Sequence, residues 1–397
     1  MNDIVYLDHN ATTAPPPEVV DEMLDALQRA WANPSSTHEP GQMARRLLAD
    51  ARTRIASFLG CQGAELVFTS GATEANHQAI LGALALARAE SAGARRRLLV
   101  SAVEHPGLLA LAERLAGEGV PVERIAVDAR GQLDLADLDR RLAQGDVALV
   151  SVMGANNETG VVMPVEAVAA RVRAAGARLH VDATQLAGKA RLHFGRSGAD
   201  LMSVSAHKLH GPKGIGALLV RKGLALPALL AGRQERHRRG GTENLPGIAG
   251  FAAACDRAAR TLDEDLARMT RLREALEDGL RAVLPPGLAV LGEGAERLPN
   301  TLCVRFHEID SERVLGRLER AGIVAASGAA CTASGTQPSH VLLAMGCSAA
   351  QARAGVRFSL GRDTTPAQIR RTVEAAARVV HPLMQVEQPA PALAQAA

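Results

Sequence analysis

Lysine is nearly missing from this chain. Of 45 basic residues only those at 189, 208, 213 and 222 are lysine. Arginine serves wherever a generic positive charge will do, so a surviving lysine is a candidate for chemistry closed to a permanently protonated guanidinium, such as forming an imine. Cysteine is sparse as well, at Cys61, Cys255, Cys303, Cys331 and Cys347. An odd number without CxxC spacing argues against a disulfide framework and a closed zinc site, and leaves free thiols in a reducing compartment. No run of about 18 apolar residues is free of charges or turn residues, so no membrane span is expected. The opening Met1 to Tyr6 is acidic and leads into no apolar signal region, which points to the cytoplasm. A net charge of +3 over 397 residues leaves no concentrated basic face, so nucleic acid is not an expected partner.

The 47% hydrophobic and 22% charged content suits a globular enzyme with one large and one smaller domain. β-like runs at 65–69, 97–102, 122–127, 147–153, 178–182, 201–205 and 216–220 alternate with helical patterns at 74–88, 108–117, 135–143 and 165–175. That alternation predicts an α/β fold with a mostly parallel seven-stranded sheet covered on both faces. Pro15, Pro16 and Pro17 precede a helix over 18–31. A nearly unbroken helical pattern from 246 to 284 leads into strands near 288–291, 300–306 and 355–359 and helices over 311–321 and 366–383, the makings of a smaller α+β domain. The expected division is 15–255 for the large domain and 1–14 with 256–385 for the small one. Residues 386–397, rich in Gln, Pro and Ala, are expected to be disordered.

Open parallel sheets place ligands beyond the carboxyl ends of their strands. After the first strand comes Thr69-Ser70-Gly71-Ala72-Thr73-Glu74, a turn into a helix that reads either as a plain cap or as an anion site. The next relevant strand is followed by His105, structural or functional, and the one ending at Met153 by the polar run Gly154 to Gly160. Asp182 closes an apolar strand; such a carboxylate needs a cation, either an arginine or a protonated pyridine nitrogen. Lys208 stands just past a buried strand, where desolvation lowers an amine's pKa. Lys213 sits in a Gly-Pro-Lys-Gly turn, Lys222 opens a loop and Lys189 falls in a polar connection, so the choice is Lys208. A phosphate cradle, a strand-end carboxylate, a histidine and a scarce lysine on one sheet edge match what pyridoxal phosphate requires. Cys331 lies in Ser327-Gly328-Ala329-Ala330-Cys331-Thr332-Ala333-Ser334-Gly335, small residues suited to a loop rather than a packed core. The bland alternative is a buried small hydrophobe.

The chain resembles the class V, fold-type-I pyridoxal-phosphate family, and within it the NifS/IscS cysteine desulfurases. The resemblance runs over about residues 4–380 and rests on ordered motifs: Asn10-Ala11-Thr12-Thr13, Thr69 to Glu74, Val103-Glu104-His105-Pro106, Ala155-Asn156-Asn157-Glu158, His180-Val181-Asp182-Ala183 with Gln185, Ser205-Ala206-His207-Lys208, Gly241-Thr242-Glu243-Asn244, Ser327 to Thr332 and Arg357-Phe358-Ser359-Leu360. It implies that Lys208 carries the cofactor as an imine, Asp182 pairs with the pyridinium nitrogen, His105 stacks on the ring and helps move protons, and Gln185 bonds the phenolic oxygen. Ala72, Thr73, Ser205 and His207 would hold the phosphate, joined by Thr242 from the partner subunit of a homodimer. Asn157 and Arg357 would grip polar groups of cofactor and substrate, Arg357 taking the cysteine carboxylate. The run Arg233 to Arg239, otherwise readable as a solvated charge run, would line the partner's active-site entrance.

The implied reaction takes sulfur from L-cysteine, leaving L-alanine and a persulfide on Cys331. An iron–sulfur scaffold protein would accept that sulfur, and Cys331 is also a candidate ligand to a nascent cluster, the one metal site expected. The tail, Val150 to Gly160 and Arg233 to Gly241 favour the NifS type, which serves nitrogenase maturation, over the housekeeping IscS type. An aminotransferase of the same fold, a selenocysteine lyase and a non-enzymatic sulfur-carrying scaffold are the rival readings. An aminotransferase would have no reason for Cys331 in a glycine-rich loop.

Overall fold

The structure, a computed structural model, describes residues 4–284, 287–327 and 337–386. The tail from 387 onward and the Cys331 segment expected to form a loop lie outside the described residues.

Chain order gives β1 (Val5–Tyr6), β2 (Leu66–Thr69), β3 (Arg97–Ser101), β4 (Val122–Ile125), β5 (Val147–Met153), β6 (Arg178–Asp182), β7 (Leu201–Ser205) and β8 (Gly216–Val220). The later strands are β9 (Leu288–Val290), β10 (Thr301–Phe306), β11 (Ile323–Val324), β12 (Ala326–Ser327) and β13 (Gly355–Ser359). Seven strands form one sheet in the order β2-β8-β7-β6-β5-β3-β4, and only β8 runs against its neighbours. Every residue of β5 is buried, as expected for a central strand whose two faces are both covered by helices. The expected seven strands are all present, four of them with the same ends.

A second sheet, β12-β13-β10-β9, is antiparallel, and β1 pairs with β11 in a two-stranded parallel ribbon. The 39-residue helix Leu245–Val283 connects the two regions. Its first part buries Ile248, Phe251 and Ala252 in the apolar cluster of the large sheet; its last part buries Leu272, Leu276 and Leu280 in the cluster of the second sheet. The N-terminal segment joins the second cluster through Val5 and Leu7.

The 21-residue helix Glu39–Leu59 was not anticipated. Pro40-Gly41 reads as a turn, yet proline is tolerated in a helix's first turn, and His38 caps this one by accepting from the Gly41 N–H at 3.2 Å. Among the described residues no helix is long and apolar enough to cross a membrane.

Because β8 is antiparallel, its first residue pairs with the last residue of β2 (Thr69) and of β7 (Ser205). A Cβ on Gly216 would stand 2.6 Å from the Val204 carbonyl oxygen and 2.7 Å from the Gly71 Cα, both backbone atoms unable to give way. Gly216→Ala is therefore expected to cost about 1–3 kcal/mol, read as a lower urea midpoint.

Candidate active site

The parallel strands deliver their carboxyl ends to one edge, and the residues just beyond them line a cavity of about 570 Å³, a size suited to a small ligand. Ala72, Thr73, His105, Asn157, Asp182, Gln185, Ser205, His207, Lys208 and Arg357 all line it, although they come from the ends of five strands of the large sheet and, for Arg357, from the middle of β13 in the second. Thr242 is exposed and does not line this cavity. Cys331 lies outside the described residues.

Lys208 ends a single 3₁₀ turn (Ala206–Lys208) that follows β7 directly. Its Nζ donates to the carbonyl oxygens of Asn10 at 2.6 Å and Ala11 at 2.9 Å. Burial, helped by the charge of Arg357 and opposed by Asp182 and Asp8, brings its pKa down to about 8. Asp182 ends β6; one carboxylate oxygen accepts from Asn76 Nδ2 at 2.7 Å and the other from the Thr184 N–H at 3.0 Å. Among the described residues no arginine pairs with it, which removes the simpler of the two readings of this carboxylate.

His105 caps the helix Pro106–Gly117, its Nδ1 accepting from the Gly107 N–H at 3.1 Å. Burial, aided by the Lys208 charge against the opposing Asp182, lowers its pKa, so the ring is neutral with its proton on Nε2. His207 is pushed down to about 4 by burial and by the charges of Lys208, Lys213 and Lys189. The helix Ala72–Glu90 begins beside Ser205 and His207, and its first N–H groups have no partner within the helix. Glu74 at that end is ion-paired by Arg239 at 2.9 Å, which removes a charge that would repel an anion.

One expectation needs correcting. Lys189 is not in an open polar connection: it is 5% exposed, and its Nζ donates to Asn10 Oδ1 at 3.0 Å and Gln185 Oε1 at 2.5 Å. Arg357 is buried within β13. Its partners are Asp8, reached at 2.6 Å, and the Asn157 carbonyl, reached at 2.9 Å. Within the run 233–239 Glu235 is buried, accepting from the Phe68 N–H at 3.0 Å and pairing with Arg52, while Arg233, Arg236 and His237 are exposed.

Sequence reasoning assigned no role to Asp8, Asn10, Asn76 or Glu104. Glu104 is fully buried, accepts from the Met153 N–H, and is pushed well above the usual carboxylate range by burial and by Asp182. A polar residue at 76 on an otherwise apolar helix face was the available signal for Asn76. Burial raises all four described thiols, Cys61 to about 12 and Cys255, Cys303 and Cys347 upward as well, so none is poised as a thiolate. Among the described residues no cluster of His, Cys, Asp and Glu could hold a metal ion.

Comparison with known proteins bears directly on this edge. The family described as aminotransferase class-V matches residues 5–372. The chain belongs to that family. A cysteine desulfurase of Bradyrhizobium diazoefficiens is 45% identical over 380 residues, covering 95% of this chain and 94% of the relative. One from Trichormus azollae is 43% identical over 381 residues, covering 96% and 94%. A solved NifS-like protein superposes with a TM-score of 0.87 at 33% identity, covering 95% of this chain and 99% of that one.

Class V aminotransferases work with pyridoxal phosphate, and the residues present fit it. The unpaired helix start with Ser205 suits a phosphate, and the buried carboxylate of Asp182, lacking an arginine, suits a pyridinium N–H. Lys208 lines the same cavity with its pKa brought down to about 8. Imine formation needs the neutral amine, which predominates above the pKa. The rate at which cofactor-free protein takes up pyridoxal phosphate, followed by visible absorbance, is therefore expected to rise with pH, be half-maximal near pH 8, and vanish in Lys208→Arg.

Proposed function

We propose that the protein is a cysteine desulfurase in which Lys208 and Cys331 take sulfur from L-cysteine, producing L-alanine and a Cys331 persulfide. The observation that carries this reading is the Lys208 amine, lowered to about 8, in one cavity with the buried carboxylate of Asp182 and the guanidinium of Arg357. The relatives named as cysteine desulfurases over nearly the whole chain support it.

Bound pyridoxal phosphate supplies the electron sink that acidifies the substrate Cα and makes its sulfur a leaving group. Asp182 accepts the pyridinium N–H; Ala72, Thr73, Ser205 and His207 hold the phosphate. The Lys208 amine takes up and returns the Cα proton. His105, with Nδ1 committed to Gly107, has only Nε2 with which to hold or pass a proton. Arg357, oriented by Asp8 and the Asn157 carbonyl, receives the substrate carboxylate. Cys331 thiolate attacks the substrate sulfur: an S–S bond forms, the C–S bond breaks, and the bonding pair stays on carbon, which is protonated to give alanine. The four described cysteines, raised by burial, leave Cys331 as the thiol for this step.

The persulfide sulfur then passes to an iron–sulfur scaffold protein, with Cys331 a candidate cluster ligand during transfer. Nitrogenase maturation is the favoured destination on the sequence features of 150–160, 233–241 and the tail. The cytoplasm is the compartment in which such a thiol stays reduced. A homodimer would bring Thr242, exposed and outside its own cavity, to the partner's phosphate. Val20, Leu24 and Leu27, exposed along the helix Pro17–Arg29, with Trp31 exposed just past its end, offer an apolar surface for that contact. Residues 15–255 and 1–14 with 256–385 would be the two domains, with the cavity between them.

Cys331→Ala is expected to abolish alanine formation from cysteine in the presence of a thiol reductant while leaving the yellow absorbance of the loaded protein unchanged. Alanine production at the unsubstituted rate would overturn the persulfide role.

A further inference from the structure

Lys189 has no part in the chemistry above, yet it is buried behind the cavity in contact with a residue that lines it. Its two hydrogen-bond partners are both amide oxygens, Asn10 Oδ1 and Gln185 Oε1, and no carboxylate is among them. Burying an ammonium without a carboxylate is costly, and burial together with the charges of Lys208 and Arg357 pushes its pKa well below the usual lysine range. A lysine kept at such cost in a chain that uses arginine elsewhere calls for a role that needs a slim, donor-rich end.

The geometry supplies one. A side-chain amide can be held either way round, and only its partners decide which end faces where. Asn10 is fixed because its Nδ2 donates to the Asn157 carbonyl at 3.2 Å and to Thr301 Oγ1 at 2.9 Å, so its Oδ1 must face Lys189. Gln185 is fixed from both ends: Oε1 accepts from Lys189, and Nε2 donates to the Asn10 carbonyl oxygen at 3.1 Å. The amide nitrogen carries two N–H groups, so one remains for the cavity that Gln185 lines. Lys189 satisfies both oxygens whether charged or neutral, since either form has at least two N–H donors.

We propose that Lys189 is a positioning residue that locks the Gln185 amide with its nitrogen toward the cavity, so that Gln185 donates to the anionic ring oxygen of bound pyridoxal phosphate. This rests on the assignment of Gln185 to that oxygen. A donor there stabilises the oxygen's negative charge and makes the neighbouring imine nitrogen hold its proton less tightly. Without Lys189, only the bond from Nε2 to the Asn10 carbonyl still opposes turning the amide oxygen inward, and the oxygen loses the donor that held it.

The test is a pH titration of the visible absorbance of the loaded protein. Lys189→Met is expected to raise the midpoint, corresponding to an about threefold to tenfold tighter proton, and Gln185→Ala should raise it similarly. The double variant should match Gln185→Ala alone, because the lock has nothing left to hold. An unchanged midpoint in Lys189→Met overturns the proposal. So does a Lys189→Met shift that persists in full in the Gln185→Ala background, which would mean that Lys189 acts through its charge. If Lys189→Met does not fold, Lys189→Gln is compared in the same two backgrounds and read in the same way. An unchanged midpoint in Gln185→Ala would instead strike the assignment of Gln185, and this proposal with it.

Discussion

Asn10 is 1% exposed and hydrogen-bonded through every polar group it has. Its N–H donates to Ser359 Oγ, and its side-chain nitrogen to Thr301 Oγ1 and the Asn157 carbonyl. Its side-chain oxygen accepts from Lys189 and Asn300, and its backbone oxygen from Lys208 and Gln185. Those partners belong to the second sheet, through Thr301 and Ser359, and to the segments after β5, β6 and β7 of the large one. A buried amide left short of a partner costs about 1–3 kcal/mol per group, so this one residue penalises any relative displacement of the elements that form the cavity. The position of the Lys208 amine depends on it directly.

The second constraint is electrostatic. The back of the cavity gathers Lys208, Lys189 and Arg357, with Asp182 and Asp8 as the nearby carboxylates. Neutral groups make up much of the remainder: Glu104 is driven toward its protonated form, and His105, His180 and His207 are held neutral by burial. His180, between Ser151 Oγ at 2.8 Å and Ser203 Oγ at 2.9 Å, backs Asp182 without adding charge. In such surroundings a bound anion and a pyridinium meet few competing ions, so the charges that remain act strongly on them.

Much of this was legible beforehand. Strand ends such as Asp182 and Ser205 could be found because a buried parallel strand is a short apolar run, and a polar residue closing it stands out. Lys208 stood out because lysine is scarce. Lys189 was misjudged for a related reason: a turn containing Gly188 reads as surface, and only the fold of that turn against Leu209 sends the side chain inward. The helix Glu39–Leu59 was missed because its Pro-Gly opening looks like loop, and Asp8 and Asn10 were passed over because their partners lie hundreds of residues away.

By itself the sequence determined the alternating architecture and singled out Lys208 and the strand ends as candidates, because each depends on local pattern or on the rarity of a residue type. The tertiary structure decided which carboxylate goes without an arginine, which lysine is buried, and which amide oxygen faces which donor. Those outcomes turn on hydrogen-bond partners and desolvation supplied by distant segments. No window along the chain contains them.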